Sequence, residues 1–569
     1  MRSRAIFNTL IVAAGYLLSR VLGLARDVII GAQFGTSPAL DAFRAAFTIP
    51  DLIYLVVAGG ALGSAFIPVF SEHLAGGDQT RAWRLASGVL NLALAGLVAS
   101  CVLVALLADP LVALTVGRGF DAEQQRLAAS LMRLLLIQPA LLGIGGLAKA
   151  TLESFERFTL PAVGSNLYNL GIIGGALLLA PWLGIYGLVW GVNIGAALFL
   201  LVQLPGLRAV GARYIVSAED TERTEGSAEG TERTESRAGG RSKVAVSPQA
   251  SPLRVLRDLR GSGVTRVLRL LGPRLIGQSA WQINFIAMAS FASTLGAGAV
   301  AANVYALQLM MLPHGLIALS LGTVLFPQMS RLYASGELDA LRRAALGGVR
   351  SVLFLALPAS ALLATLPLLI LRLLFQRGAF DADSAALTAA ALTTYALGLW
   401  AFAAAEIPVR AFYAMQDTRT PVRVALGAVA LNIALAWALL RAGMGVAGLG
   451  LAFSAANACE ALALVALLGR RLGGLGDGFG RAAGGMALAA LAMGAALLGA
   501  LALSQPALPF LRPGDAYRWP EHFLPLALWL GAACLLAALV YAGVAALLRL
   551  EELRALLGRL GGIAARLRR

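Results

Sequence analysis

Residues 85–108 read LASGVLNLALAGLVASCVLVALLA, 24 residues without one charged side chain. A helix rising 1.5 Å per residue needs about 20 such residues to cross the hydrocarbon layer of a bilayer. The same pattern returns at Leu131–Leu152, Ala162–Trp182, Tyr186–Leu204, Ser351–Leu373, Ala385–Ala405, Val424–Leu440, Gly445–Leu468, Gly484–Leu503 and Phe523–Leu548. Over 569 residues, 59% are hydrophobic and 13% charged, where a soluble protein carries about 25% charged residues. The chain reads as an all-α polytopic membrane protein of about 14 transmembrane helices, not a soluble enzyme.

The net charge of +16 would suit a nucleic-acid partner if it formed one patch, but its distribution excludes that reading. Arg81 and Arg84, Arg331, Arg342 and Arg343, Arg419 and Arg423, and Arg470, Arg471 and Arg481 fall in every second loop, while the loops around Thr36, Gly184 and Gly296 carry little positive charge. This bias places the Arg-rich loops and both termini in the cytoplasm. The opening MRSRAIFNTLIVAAGYLLSRVLGLARD has no clear small-residue cleavage site and reads as a retained first span. Cys101, Cys459 and Cys534 lie far apart in apolar runs and read as small core hydrophobes.

Ser217–Pro252 interrupts the pattern with TERTEGSAEG followed by TERTES. Such a segment buries too little apolar area to offset its ordering entropy. It divides the chain into an N-lobe (1–212, six spans), a disordered cytoplasmic linker (213–262) and a C-lobe (263–470, six spans). Two further spans follow (481–548), then an amphipathic basic tail (549–569) expected on the cytoplasmic membrane surface. The lobes resemble each other. GRGFDAEQQ around Phe120 returns as QRGAFDADS around Phe380, and LESFERFTLPAV around Pro161 as FYAMQDTRTPVR around Pro421, each 260 residues on. AFIPVFSEHL and VLFPQMSRLY align Pro68 with Pro327, 259 apart. Two parallel repeats of this size are a usual construction of secondary transporters, with the substrate site between them.

No P-loop, HExxH, CxxC or GxSxG is present, the only lysines are Lys149 and Lys243, and His73, His314 and His522 are scattered. No catalytic residue, metal site or cofactor is expected, and transport would draw on a monovalent cation, the membrane potential or the substrate gradient. Charge inside a membrane is costly and marks function by default. Arg20 and Asp27 share a face of the first helix, with Arg26 beside it, and Asp41, Arg44, Thr48 and Asp51 form one polar stripe on the second. Pro50 is expected to open a bend there. Arginine suits phosphate because its planar fork binds two oxygens and stays charged. Arg20, Arg26 and Arg44 are therefore candidates for binding a phosphate group, and Asp27, Asp41 and Asp51 for lining a wet cavity. All six also have a reading as structural ion pairs or interfacial charges. Gln278, Gln282, Asn284, Asn303 and Gln308 occupy the matching second-lobe positions, with Gln308 a cavity candidate and interhelical hydrogen bonding the competing role. Glu406 with Arg410, and Lys149 with Glu153, have the spacing of structural ion pairs.

The stretch SRVLGLARDVIIGAQFGTSPALDAFRAAFTIPDL (19–52) resembles the opening of the MurJ/MviN family of lipid II flippases. RAFYAMQDTRTPV (410–422), FQRGAF (375–380) and GLWAFAAAEIPV (398–409) are similar to the family's second-half signature. QSAWQINFIAMASFASTLGAG (278–298) and LMMLPHGLIALSLGTVLFPQMSRL (309–332) match as well. The resemblance implies the fold of the multidrug/oligosaccharidyl-lipid/polysaccharide exporter superfamily, with the last two helices forming a groove for a lipid tail. It implies movement of an undecaprenyl-pyrophosphate-linked peptidoglycan precursor from the inner to the outer leaflet by alternating access, for cell-wall synthesis. It also implies that Arg20, Arg26, Asp27 and Asp41 fall on central-cavity positions, the arginines, with Arg44 as a substitute, engaging the diphosphate, and the aspartates, with Asp51, organising the cavity or gating it. The expected partners are the lipid-linked substrate, membrane lipids and cell-wall synthesis proteins, with the chain a monomer. Where the family reads NLLRRLFAEGA, this chain reads DLIYLVVAGGA (51–61), so Tyr54 and Leu55 replace an arginine pair and Gly59 an acidic residue. Some members carry charge where this chain has Gln308 and Met311. Flipping of another polyprenyl-pyrophosphate glycan, cation-coupled drug export and a non-transporting scaffold are the competing readings.

Overall fold

The computed structural model describes residues 2–57, 60–215, 282–476, 478–514, 517–555 and 557–558. The expected linker apart from residues 213–215, Gln278, Gly59 and most of the basic tail lie outside them. The helices are α1 (Arg2–Phe34), α2 (Pro38–Val57), α3 (Gly60–Ala75) and α4 (Gln79–Leu106), then α5 (Ala122–Ser154), α6 (Thr159–Leu183) and α7 (Ile185–Ala209). After α8 (282–293) come α9 (Ala299–Ala334), α10 (Leu338–Thr365), α11 (Ala382–Ala414), α12 (Arg419–Arg441), α13 (Gly445–Arg471), α14 (Phe479–Ser504) and α15 (Phe523–Leu547). Among the described residues there is no strand, and eleven helices, α4–α7 and α9–α15, are long and apolar enough to cross a membrane.

The repeat is visible in the helix ends. Helix α11 starts and stops 260 residues after α5, α12 starts 260 after α6, and α13 starts 260 after α7. Helix α10 is displaced from α4 by 259 at both ends. Local devices repeat too. Asp121 accepts from the Gln124 amide at 2.8 Å and caps α5, as Asp381 accepts from Ser384 at 2.8 Å and caps α11. Glu156 and Gln416 take left-handed backbone (φ 57° and 60°) at the turns before α6 and α12.

The chain forms two compact units. Of the described residues, the first takes those within 1–29, 46–111 and 126–282, and the second those within 30–45, 112–125 and 283–569. In the first unit, α3, α4 and α5 close around Phe66, Phe70 and Trp83, whose rings stack and meet edge to face at 4.9 and 5.6 Å. Helices α6 and α7 touch backbone to backbone. A Cβ on Gly171 would fall 2.3 Å from the Gly195 Cα, so only glycine allows this approach.

In the second unit α11 is the central helix, packed on α9, α10 and α13. The expected interhelical bonding is present there. Asn432 on α12 donates to Asn284 on α8 at 2.7 Å, and the Tyr395 hydroxyl on α11 donates to Asn303 on α9 at 2.9 Å. Helices α14 and α15 pack on each other and on α10, where the Tyr541 hydroxyl donates to the Phe354 carbonyl at 2.8 Å. The start of the tail docks on the same core through Leu550 and Leu553, and Arg350 of α10 pairs with Glu551 and Glu552.

Helix α2 runs from Pro38 to Val57 with Pro50 inside it. One expectation changes. Cys459 and Cys534 are exposed and Cys101 is half-buried, so the cysteines are not core residues.

Candidate functional site

The polar residues of α1 and α2 fall into two settings, one in each unit. In the first unit the Arg26 guanidinium donates to the neighbouring Asp27 carboxylate at 3.2 Å and to the Asn169 side-chain oxygen on α6 at 3.1 Å. Asn169 in turn donates to the Ser165 carbonyl and the Ser19 hydroxyl. Asp27 is buried and Arg26 partly so. This chain of bonds ties α1 to α6 and fixes the direction of the guanidinium fork. Arg20, on α1, is exposed and makes no ion pair or hydrogen bond among the described residues.

Asp51 and Tyr54 of α2 lie in the same unit, half-buried, and the fields of Asp51, Tyr54 and Arg26 all reach the Tyr168 phenol on α6. Tyr168 packs with Tyr54 against Leu142, Ala196 and Phe199 and accepts a bond from Gln138 at 3.2 Å. Tyr54 thus packs among apolar side chains within the field of Asp51, where the resemblance leads one to expect arginine.

Asp41 belongs to the second unit. It is fully buried, and its carboxylate accepts from the Gly298 amide at 2.6 Å and the Ala301 amide at 2.7 Å. These are orphan donors at the first turn of α9, so Asp41 serves that helix as its N-cap from another part of the chain. Partial positive charge at the helix start favours the carboxylate.

Around Asp41 the α1–α2 turn is fitted closely to its neighbours. Ala379 donates to the Ala32 carbonyl at 2.8 Å, and the Thr36 and Ser384 hydroxyls meet at 2.9 Å. Gly35, at φ 57°, admits no side chain, since a Cβ would sit 2.2 Å from the Ala379 oxygen. Arg44 lies over the Tyr305 ring at 5.3 Å, and Tyr305 packs with Phe375 and Phe380. The Oε1 of Gln308 is buried with no partner among the described residues.

The sequence stripe is therefore divided, with Asp41 and Arg44 in the second unit and Thr48 and Asp51 in the first. The three candidate arginines have different surroundings: Arg26 is clamped, Arg44 rests on an aromatic ring and Arg20 is exposed. Glu406 and Arg410 pair at 2.7 Å, and Lys149 and Glu153 at 3.9 Å, as their spacing implied.

Sequence reading missed Arg372. It is 1% exposed and donates to the carbonyls of Phe510 (2.9 Å), Arg512 (2.7 Å) and Gly514 (2.6 Å), holding the segment between α14 and α15. A charge inside the run Ser351–Leu373 was the available signal. Tyr168 and Gln138 were missed because neither carries charge. Among the described residues no group of His, Cys, Asp and Glu could hold a metal ion.

Comparison with known proteins gives this arrangement a family. The family model described as "Lipid II flippase MurJ" matches residues 30–510. The lipid II flippase MurJ of Burkholderia cenocepacia is 32% identical over 74% of this chain and 76% of its own length. A probable lipid II flippase MurJ of Haemophilus influenzae is 28% identical over 73% and 77%. Among solved structures, a lipid II flippase MurJ in an inward closed conformation covers 95% of this chain and 98% of its own, with TM-score 0.71 at 22% identity. An inward-facing multidrug resistance MATE family transporter of the MOP superfamily follows at TM-score 0.62 and 14% identity, covering 80% of this chain and 94% of its own. At these identities the two structures share the fold with this chain. The match across 30–510 and the 32% identity place the chain in the lipid II flippase MurJ family.

Proposed function

We propose that this protein is a transporter that flips lipid II, the lipid-linked peptidoglycan precursor, from the inner to the outer leaflet of the cytoplasmic membrane by alternating access. The observation that carries the reading is the family match over residues 30–510. Arg26 supplies the chemistry: Asp27 and Asn169 hold its planar guanidinium in a fixed direction, and a diphosphate would take the place of those partners on the fork. Arg20, exposed on the same helix, adds attraction. The headgroup crosses with these residues while the polyprenyl tail stays in lipid. Asp41 gates, because its bonds to Gly298 and Ala301 hold the α1–α2 turn on the start of α9 and must be released when the bundle changes state.

No residue performs covalent chemistry in this reading, and no cofactor takes part. Energy comes from a monovalent cation or the membrane potential. Both termini lie in the cytoplasm, the last two spans guide the lipid tail, and the chain acts as a monomer beside cell-wall synthesis proteins. The test is flipping of lipid II in reconstituted vesicles. Wild type is expected to move it, Arg26→Lys to move it more slowly because the bidentate geometry is lost, and Arg26→Ala to fail. Equal rates for all three would refute the clamp.

A further inference from the structure

Three carboxylates stand on α1 and α2, and the fold provides partners for two of them. Asp27 has Arg26, and Asp41 has two backbone amides. Asp51 makes no hydrogen bond or ion pair among the described residues, although it is half-buried inside the bundle. Leaving a carboxylate so placed is costly unless a ligand uses it.

Its surroundings are rich in acceptors. Gln138 is 1% exposed, spends its amide hydrogen on the Tyr168 oxygen, and has an Oε1 that accepts from nothing among the described residues. Arg26, the cation within reach of the same phenol, is already held by Asp27 and Asn169.

We infer that Asp51 selects the substrate by receiving a primary ammonium on the headgroup of the lipid-linked glycan. An ammonium offers three donors and one positive charge, which suits a carboxylate, an unpaired amide oxygen and two phenols. The Arg26 clamp and Asp51 then read opposite charges on one molecule, diphosphate and amine. The inference rests on the flippase reading.

The experiment compares two probes in proteoliposomes: lipid II with its peptide amine free, and the same lipid with that amine acetylated. Wild type is expected to flip the free amine about tenfold faster, the scale of one charge-assisted hydrogen bond. Asp51→Asn, nearly the same shape, is expected to abolish the difference by slowing the free-amine lipid, and Asp51→Glu to keep the preference. Asp51→Asn with the full preference, or wild type with none, overturns the inference and leaves flipping intact. If wild type moves neither lipid, the flippase reading falls and the inference with it.

Discussion

Asp27, Asp41 and Asp417 are carboxylates of one chemistry given different work by their partners. Asp41 saturates two amides at the start of α9 while excluded from solvent. Asp41→Ala should therefore lower stability by about 2 kcal/mol or more, read as a fall in melting temperature in detergent. Asp41→Asn should recover only part of this, because its NH2 cannot accept from the second amide. Asp417 lies in the turn between α11 and α12. Burial works to raise its carboxyl, but the Thr420 hydroxyl and amide and the Arg471 guanidinium outweigh it and hold it below the ordinary carboxylate range. A depressed carboxyl stabilises the fold above its unfolded pKa of about 4, and the contribution fades as pH falls through the lower folded value. The melting-temperature advantage of wild type over Asp417→Asn should be constant near neutrality and shrink below about pH 4. The Glu406–Arg410 and Lys149–Glu153 pairs were legible from spacing alone, because four residues bring two side chains together on any helix. The partners of Asp41 were not, since they lie 257 and 260 residues away.

At the scale of elements, the paired loops carried the most information. The displacement of 260 residues seen at Phe120 and Phe380 recurs in the ends of α5 and α11 and in the aspartates that cap them. Cap and turn residues are dictated locally, so they survive in the sequence. Which helix faces meet is decided by packing, and the sequence was silent about it. The turn between α1 and α2 makes this concrete. Gly35→Ala places a methyl against the Ala379 carbonyl at a left-handed backbone position, and should cost more than about 1 kcal/mol and slow flipping. Gly23→Ala on the same helix meets nothing within 4 Å and should change neither, which makes it the control. Between α14 and α15, Arg372→Met strands three carbonyls that the guanidinium now satisfies. A loss of about 3 kcal/mol is expected in the same melting assay, with the defect centred on 509–514 by hydrogen exchange.

For the whole molecule, fold class followed from composition and the apolar runs, because a bilayer forces backbone polar groups into helices. The site was legible only in part. The stripe Asp41–Asp51 looked like one surface on a helical wheel, yet the turn-proximal end of α2 packs with the second unit and the remainder with the first. One helix serving two compact bodies cannot be read from its own periodicity. The central claim is the lipid-linked headgroup that the chain carries. Complementation meets it directly: the chain is expressed in cells depleted of their own lipid II flippase, beside Arg26→Ala inserted to the same level. Wild type is expected to restore growth and the variant is not. Well-inserted wild type that fails to restore growth would contradict it and point to a different lipid-linked glycan.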